Sequence, residues 1–361
     1  MKTRYILVLS ALFALPLSSA NGDALLFPYV VTSNTVASIV SVVNTDTTGR
    51  LFVEYLFKKT LAHNSECSSS GRREVDSAQN DLVSFEVNNT FTGPFAGTDG
   101  GPLFNDPATN VTYTGDDFTM NQPKPQRGYL IVDDGDNDGP DLYGEAVILE
   151  TASGAAWGYR AENPVNNAFT APNGPTFDSS TPGLTAGETN DITGEALDAD
   201  NNTDEVGLTL LPRNEWVTKL FVTPLGDTTQ RACADCSVVL NLTRDSGGFT
   251  DGLFDRDANP LSGSTPVNVV CVSGVDVRDL ISATVEATIN AQGGWGFVDI
   301  DPGLPTTAQG TTSNTENAAV VIKLEFNETA TQHISPKLSN SFSGVVNSAV
   351  WLRNRDNSET F

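Results

Sequence analysis

Apolar and polar residues alternate with a period of two along most of this chain, the spacing of strands that bury one face and wet the other. Val83, Phe85 and Val87 alternate with Ser84 and Glu86, and Ile322, Leu324 and Phe326 alternate with Lys323 and Glu325. Ile281, Ala283, Val285, Ala287 and Ile289 alternate with Ser282, Thr284, Glu286 and Thr288. More continuous apolar runs at 25–31, 39–43, 51–57, 129–132, 238–240 and 267–272 predict central strands of packed sheets. No amphipathic helix of useful length stands out. The predicted fold class is all-β, an antiparallel β-sandwich architecture.

Short features recur in the same order in both halves, as an internal duplication would leave them. Asp46-Thr47-Thr48-Gly49-Arg50 and Asp227-Thr228-Thr229-Gln230-Arg231 each fall between two predicted strands. Ala155-Ala156-Trp157-Gly158-Tyr159 and Gly293-Gly294-Trp295-Gly296-Phe297 each follow one. Between the halves lies a stretch rich in Asn, Thr, Pro, Gly and Asp, and a similar polar excursion runs over 91–127. The expected organisation is a leader over 1–20, a sandwich domain over 21–165 with its long loop 91–127, a polar linker over 166–205, and a second sandwich domain over 206–361. One larger sandwich whose sheets are shared by both halves is the alternative.

The leader is read from local chemistry. Lys2 and Arg4 precede an apolar run over 5–17 that is too short to span a bilayer, and Ser18-Ser19-Ala20 supplies the small residues a signal peptidase reads. The expectation is export to a periplasm, a cell surface or the medium, with no transmembrane anchor in the mature chain.

Charge narrows the partners. The formal net charge is −25, and loss of Lys2 and Arg4 with the leader would make it more negative by two. Nucleic acid and anionic membrane surfaces would be repelled, whereas divalent cations suit such a surface. Hydrophobic residues make up 39% of the chain but charged ones only 18%. The polar remainder is therefore largely Asn, Thr, Ser and Gly, the composition of short strands joined by many turns.

Cys67, Cys233, Cys236 and Cys271 are an even number of cysteines in a chain expected to be exported, which points to two disulfides in one of three pairings. A zinc site including His63 and a redox-active Cys233-Ala-Asp-Cys236 are the other readings of the same residues.

The most specific chemical motif is Asp134-Gly135-Asp136-Asn137-Asp138-Gly139-Pro140-Asp141-Leu142-Tyr143-Gly144-Glu145. Calcium takes six to eight hard oxygens at about 2.3–2.6 Å, and three alternating carboxylates can converge on one point where a glycine allows a sharp turn. The twelve residues satisfy the D-x-[DN]-x-[DN]-G-x5-E pattern. The segment resembles the calcium loops of EF-hand, dockerin and thrombospondin-type proteins, and the resemblance covers these residues alone. It implies that Asp134, Asp136 and Asp138 bind Ca2+ through side chains and Pro140 through its carbonyl. It further implies that Leu142 acts through a water and Glu145 closes the site with both oxygens. The flanks read as strands, so a helix–loop–helix sensor is not expected. Two looser acidic groups share part of the spacing: Asp255, Asp257 and Asn259, and Asp198, Asp200, Asn202 and Asp204.

Catalytic signatures are sparse. His63 and His333 are the two histidines, and the chain contains no HExxH, no G-x-S-x-G and no phosphate-cradling glycine loop. Trp157, Tyr159, Trp295 and Phe297 are candidate sugar-stacking aromatics, although a core or corner role fits their place in the repeat better. Three classes of function remain. The first is a secreted or cell-surface structural or adhesive protein, stabilised by calcium and not an enzyme, whose partners are other surface proteins, copies of itself or glycans. The second is an extracellular carbohydrate- or ligand-binding module, and the third a secreted carboxylate-dependent hydrolase. The apolar run over 25–31 would serve either as the first strand of its own domain or to complete a neighbour's sheet.

Overall fold

The computed structural model describes residues 24–32, 36–47, 50–87, 126–134, 142–150, 155–161, 197–198, 206–214, 216–225, 236–243, 252–302, 318–327 and 345–352. The earlier half supplies β1 (Ala24–Thr32), β2 (Val36–Asn44), β3 (Arg50–Lys58), β4 (Cys67–Asp76), β5 (Asp81–Glu86), β6 (Gln126–Asp133), β7 (Leu142–Glu150) and β8 (Ala155–Arg160). These form two antiparallel sheets: sheet I in the order β5-β2-β7-β8, and sheet II in the order β1-β6-β3-β4.

The later half supplies β9 (Leu197–Asp198), β10 (Val206–Leu210), β11 (Val217–Leu225), β12 (Ser237–Asn241) and β13 (Leu253–Asp255). It continues with β14 (Val267–Val270), β15 (Ser273–Asp276), β16 (Gly294–Pro302), β17 (Ala318–Asn327) and β18 (Val345–Leu352). Sheet III runs β15-β11-β17-β18 with β9 paired to β17, and sheet IV runs β10-β16-β12-β14 with β13 paired to β16. The fold is all-β, as the alternation predicts.

Alternation assigns each side chain to a core. On β6, Leu130 and Val132 face the core between sheets I and II, with Leu25, Phe27, Val53, Val40 and Phe85. Their neighbours Tyr129 and Ile131 face the opposite way, onto Phe221 of β11 and Val320, Ile322 and Leu324 of β17. On β17 the alternate residues Ala319 and Val321 turn into a third core, with Leu220, Val222, Val238, Leu240, Val298 and Ile300. The four sheets therefore stack in the order I, II, III, IV, and sheets II and III are covered on both faces. That double burial is why residues 25–31 and 129–132 read as unbroken apolar runs, and 51–57 as one interrupted only by the buried Glu54.

The two halves share one topology. Replacing β1-β6-β3-β4 by β10-β16-β12-β14, and β5-β2-β7-β8 by β15-β11-β17-β18, keeps every pairing and the chain order. Strand β9, strand β13 and the helical segment described next have no counterpart among the described residues of the earlier half. The Asp46 and Asp227 segments fall between counterpart strands of the chain, β2 and β3 and β11 and β12, and residues 227–231 lie outside the described residues. The two Trp-Gly-aromatic segments do not lie on counterpart strands: Trp157 lies on β8, whereas Trp295 lies on β16, the counterpart of β6. The counterpart of β8 is β18, which carries Trp351. In both segments the glycine admits a neighbouring backbone: a Cβ at Gly158 would meet the Ala146 carbonyl at 2.7 Å, and one at Gly296 the Gly252 carbonyl at 2.7 Å.

One expected strand is a helix. Residues Val277–Leu280 form a 3-10 turn, and α1 (Ala283–Gln292) follows it, linking β15 to β16. Ile281, Val285 and Ile289 are spaced by four, so they fit a helical stripe as well as strand alternation. The ends decide between them. Ser282 is the extended N-cap residue and its carbonyl accepts from Glu286 at 2.9 Å. Gly293 stops the helix at φ +73°, where a Cβ would also meet the Leu210 carbonyl at 2.5 Å. Val285 and Ile289 are the buried pair.

A disulfide joins the halves. Cys67, at the start of β4, is bonded to Cys271, between β14 and β15, across 204 residues of sequence. Cys236 is also disulfide-bonded and its carbonyl accepts from the Cys271 N–H at 2.8 Å, while Cys233 lies outside the described residues. A cross-link over so long a loop restricts the unfolded chain strongly. The variant Cys67→Ser should lose about 2–4 kcal/mol of stability, read from denaturant midpoints under oxidising conditions. Equal midpoints for the two proteins would show that the bond adds nothing to the packed seam.

Candidate functional site

The calcium-loop residues are spread over two strand ends and the segment between them. Asp134 follows β6 directly and is buried. Asp136, Asp138 and Pro140 lie outside the described residues. Leu142 opens β7 with its side chain in the core between sheets I and II, leaving only its backbone to the loop. Glu145 is exposed on the outer face of β7, opposite Ser41 on β2 and Arg160 on β8. The loop is thus framed by strands. Among the described residues, no group of three or more His, Cys, Asp or Glu side chains is arranged to hold a metal ion.

The Asp255 segment is a self-capped turn. The carboxylate accepts from the backbone of Asp257 at 2.9 Å and of Asn259 at 2.8 Å, and from the side chains of Asn259 at 2.8 Å and Gln292 at 3.4 Å. Hydrogen bonds from Asn259 hold this carboxyl below its ordinary range. Its oxygens are committed to the turn, and the sequence spacing arises from that geometry. Of the other loose acidic group, Asp198 lies on β9, and Asp200, Asn202 and Asp204 fall outside the described residues.

The densest polar constellation lies at the seam between sandwiches, where the β3–β4 connection reaches the later half. The Lys58 ammonium donates to the carbonyls of His63 at 3.0 Å and Val270 at 3.2 Å. The Val270 N–H returns a bond to the His63 carbonyl at 2.9 Å. The His63 ring is held at both nitrogens, Nδ1 2.7 Å from Ser273 Oγ and Nε2 3.5 Å from Asp279 Oδ2. Lys59 and Glu66 brace the base of the loop at 2.8 Å.

This arrangement contains the residue types of a Ser–His–Asp triad, but Ser273 has no exposed surface at all. A nucleophile must meet a substrate carbonyl, so the group works as a fastening. The sequence suggests His63 only as a surface histidine or a zinc ligand beside the cysteines; Cys67 and Cys271 are instead disulfide-bonded, and the partners of the His63 ring are more than 200 residues away.

One aromatic group ties the halves together, and a second lies within the later half. Trp157 stacks on Phe221 with ring centroids 5.2 Å apart, and Tyr29 stacks on Phe221 at 3.9 Å. Tyr159 donates its hydroxyl to the Tyr29 carbonyl, and Arg127 Nε donates to the Tyr29 hydroxyl at 3.2 Å. Trp157 and Tyr159 are therefore packing residues at the seam. Trp295 stacks on Phe254 at 4.2 Å across β13 and β16, and Phe297 meets Trp295 edge-on.

No known protein family, curated protein or solved structure matches this chain. No helix among the described residues is long and apolar enough to cross a membrane.

The seam carries a pH dependence. Burial, with Arg127 adding repulsion, lowers the Lys58 pKa from 10.5 to about 7. Burial also lowers that of His63, with Asp279 opposing it. Each base is harder to protonate in the fold than in the solvated chain, so the unfolded state binds more protons and stability rises with pH. For Lys58 the window runs from about 7 to 10.5, and for His63 it lies below 6.5. Lys58→Met should flatten the stability–pH profile between pH 7 and 10, measured by urea midpoints. A variant profile parallel to wild type would remove Lys58 as its source.

Proposed function

We propose that this protein is an exported structural or adhesive protein, in which the Asp134–Glu145 segment binds calcium and the two sandwiches act as a single cross-linked rod. The carrying observation is the Cys67–Cys271 bond between the sandwiches. Disulfides form and persist in oxidising compartments, in agreement with the leader expected over residues 1–20. A bond between two packed halves resists pulling and local opening, which a load-bearing or adhesive protein requires and a catalyst does not.

The acidic charge supports the same destination, and calcium is the cation that an oxygen-rich loop selects there. Asp134, Asp136, Asp138 and Glu145 would supply carboxylate oxygens, Pro140 a carbonyl and Leu142 a bridging water. The ion would neutralise mutually repelling acids and brace the β6–β7 connection, which joins sheet II to sheet I.

Two measurements test this reading. Thermal melting with calcium should exceed melting with chelator by several degrees, on the order of the shift that 1–2 kcal/mol gives a chain of this size. Glu145→Gln should lose most of that difference. Identical melting of wild type in calcium and in chelator would dispose of the site. Separately, cell fractionation should recover the chain outside the cytoplasm and shortened by its leader; an uncleaved cytoplasmic protein would refute export.

A further inference from the structure

The internal repeat makes the seam a template for contacts with other molecules. Sheets I and III are counterparts, and so are sheets II and IV. The outer face of sheet III is buried against the outer face of sheet II, in the core that contains Phe221, Val320 and Ile322 on one side and Tyr129 and Ile131 on the other. At the two ends of the stack, the outer faces of sheet I and sheet IV have no sheet packed over them among the described residues.

Both faces set apolar rows among the polar residues that an outer sandwich face normally presents. On sheet I, Leu82, Val43 and Tyr143 lie in one row across β5, β2 and β7, and Ile39 pairs with Val147 in another. Leu82 is 52% exposed, one of two large apolar residues so open among the described residues. Val43, Ile39, Tyr143 and Val147 are partly exposed. On sheet IV, the Phe254–Trp295 stack and Val239 point outward, all partly exposed, and Asp299 and Asp301, which alternate with the buried Val298 and Ile300, share that face.

We propose that the outer face of sheet I of one molecule docks on the outer face of sheet IV of a second copy, repeating between molecules the packing that sheets III and II make within one. The occupant follows from continuity with the internal interface: each end carries the counterpart of a face that already packs on the counterpart of the other. Such a contact joins two different surfaces, so it does not close into a dimer but extends head to tail. This deepens the structural reading proposed above and names the partner as the protein itself. It requires neither calcium nor export, so its failure and theirs are separable.

The test is sedimentation velocity of the oxidised, leader-free protein from micromolar to millimolar concentration, with electron microscopy of the same samples. Wild type should show a sedimentation coefficient that climbs without a plateau, and short linear chains. Val147→Lys, on sheet I, and Trp295→Lys, on sheet IV, should each be monomeric alone. Mixed in equal amounts they should give a dimer and nothing longer, because each retains one intact face. Val239→Lys replaces Trp295→Lys if the latter melts early. Wild type that stays monomeric throughout would overturn the proposal. So would a plateau at dimer dissolved by Val147→Lys but not by either sheet IV variant, since that pattern belongs to sheet I packing on itself.

Discussion

The seam between sheets II and III is the constraint on which the rest of the structure depends. A sheet with one apolar face needs a single partner, but strands β1, β3, β6, β11 and β17 are apolar on both faces and need two. Separated, either sandwich would present Tyr129 and Ile131, or Phe221, Val320 and Ile322, as one continuous apolar patch to water. Every polar group trapped at the contact must then find a partner inside it. Pro28 shows how this reaches back into the strand. Lacking an N–H, it interrupts the β1–β6 ladder, whose register shifts between Phe27 and Val30, and its freed carbonyl takes the Thr223 hydroxyl of the opposite sandwich. Lys58, at the other side of the seam, satisfies its ammonium on two carbonyls for the same reason.

Much of this fold was legible because strand period and burial are local properties. The runs at 25–31, 51–57 and 129–132 are central strands, and Val83, Phe85 and Val87 all point into the core between sheets I and II. The exceptions have specific causes. Residues 281–289 satisfy two periods at once, and only the flanking Ser282 and Gly293 separate them. The correspondence between Trp157 and Trp295 was misleading because local similarity carries no pairing information; the order of strands in the sheets identifies β18 instead. The seam residues were illegible in principle. Nothing in the sequence near His63 announces Ser273 or Asp279, and nothing near Cys67 selects Cys271 from three possible partners. Of the calcium loop, the strand flanks were legible, but that β7 already includes Leu142 and Glu145 was not.

Duplication followed by stacking also accounts for the uneven chemistry of the two halves. Sheets I and III have the same strand order, yet β17 of sheet III carries Val320, Ile322 and Leu324 on its outer face, where β7 of sheet I carries Tyr143, Glu145 and Val147. Along β17 that face is apolar throughout because it is permanently covered. The other keeps Glu145, with Ser41 hydrogen-bonded to Ser84 at 2.8 Å beside it, between its apolar rows. A striped face of this kind remains soluble when open and still gains from being covered.

Net charge sets the terms on which such a face can act. At −25 the molecule repels its own copies, and that repulsion reaches about 10 Å at 0.1 M salt. Apolar burial is a contact force and begins only when water is expelled between the surfaces. Two copies meeting as proposed would therefore have to cross an electrostatic barrier before the sheets touch, and its height would fall as ionic strength rises. In the proposed head-to-tail contact, salt would then govern how often and how strongly the copies associate, while the rows of Leu82, Val43 and Tyr143 and of Ile39 and Val147 would govern the orientation. A lone acidic sandwich would need only the first of these features. A stack whose ends repeat its own interior contact needs both, because repulsion without the apolar rows gives no register, and the rows without repulsion would let chains pack side by side indiscriminately.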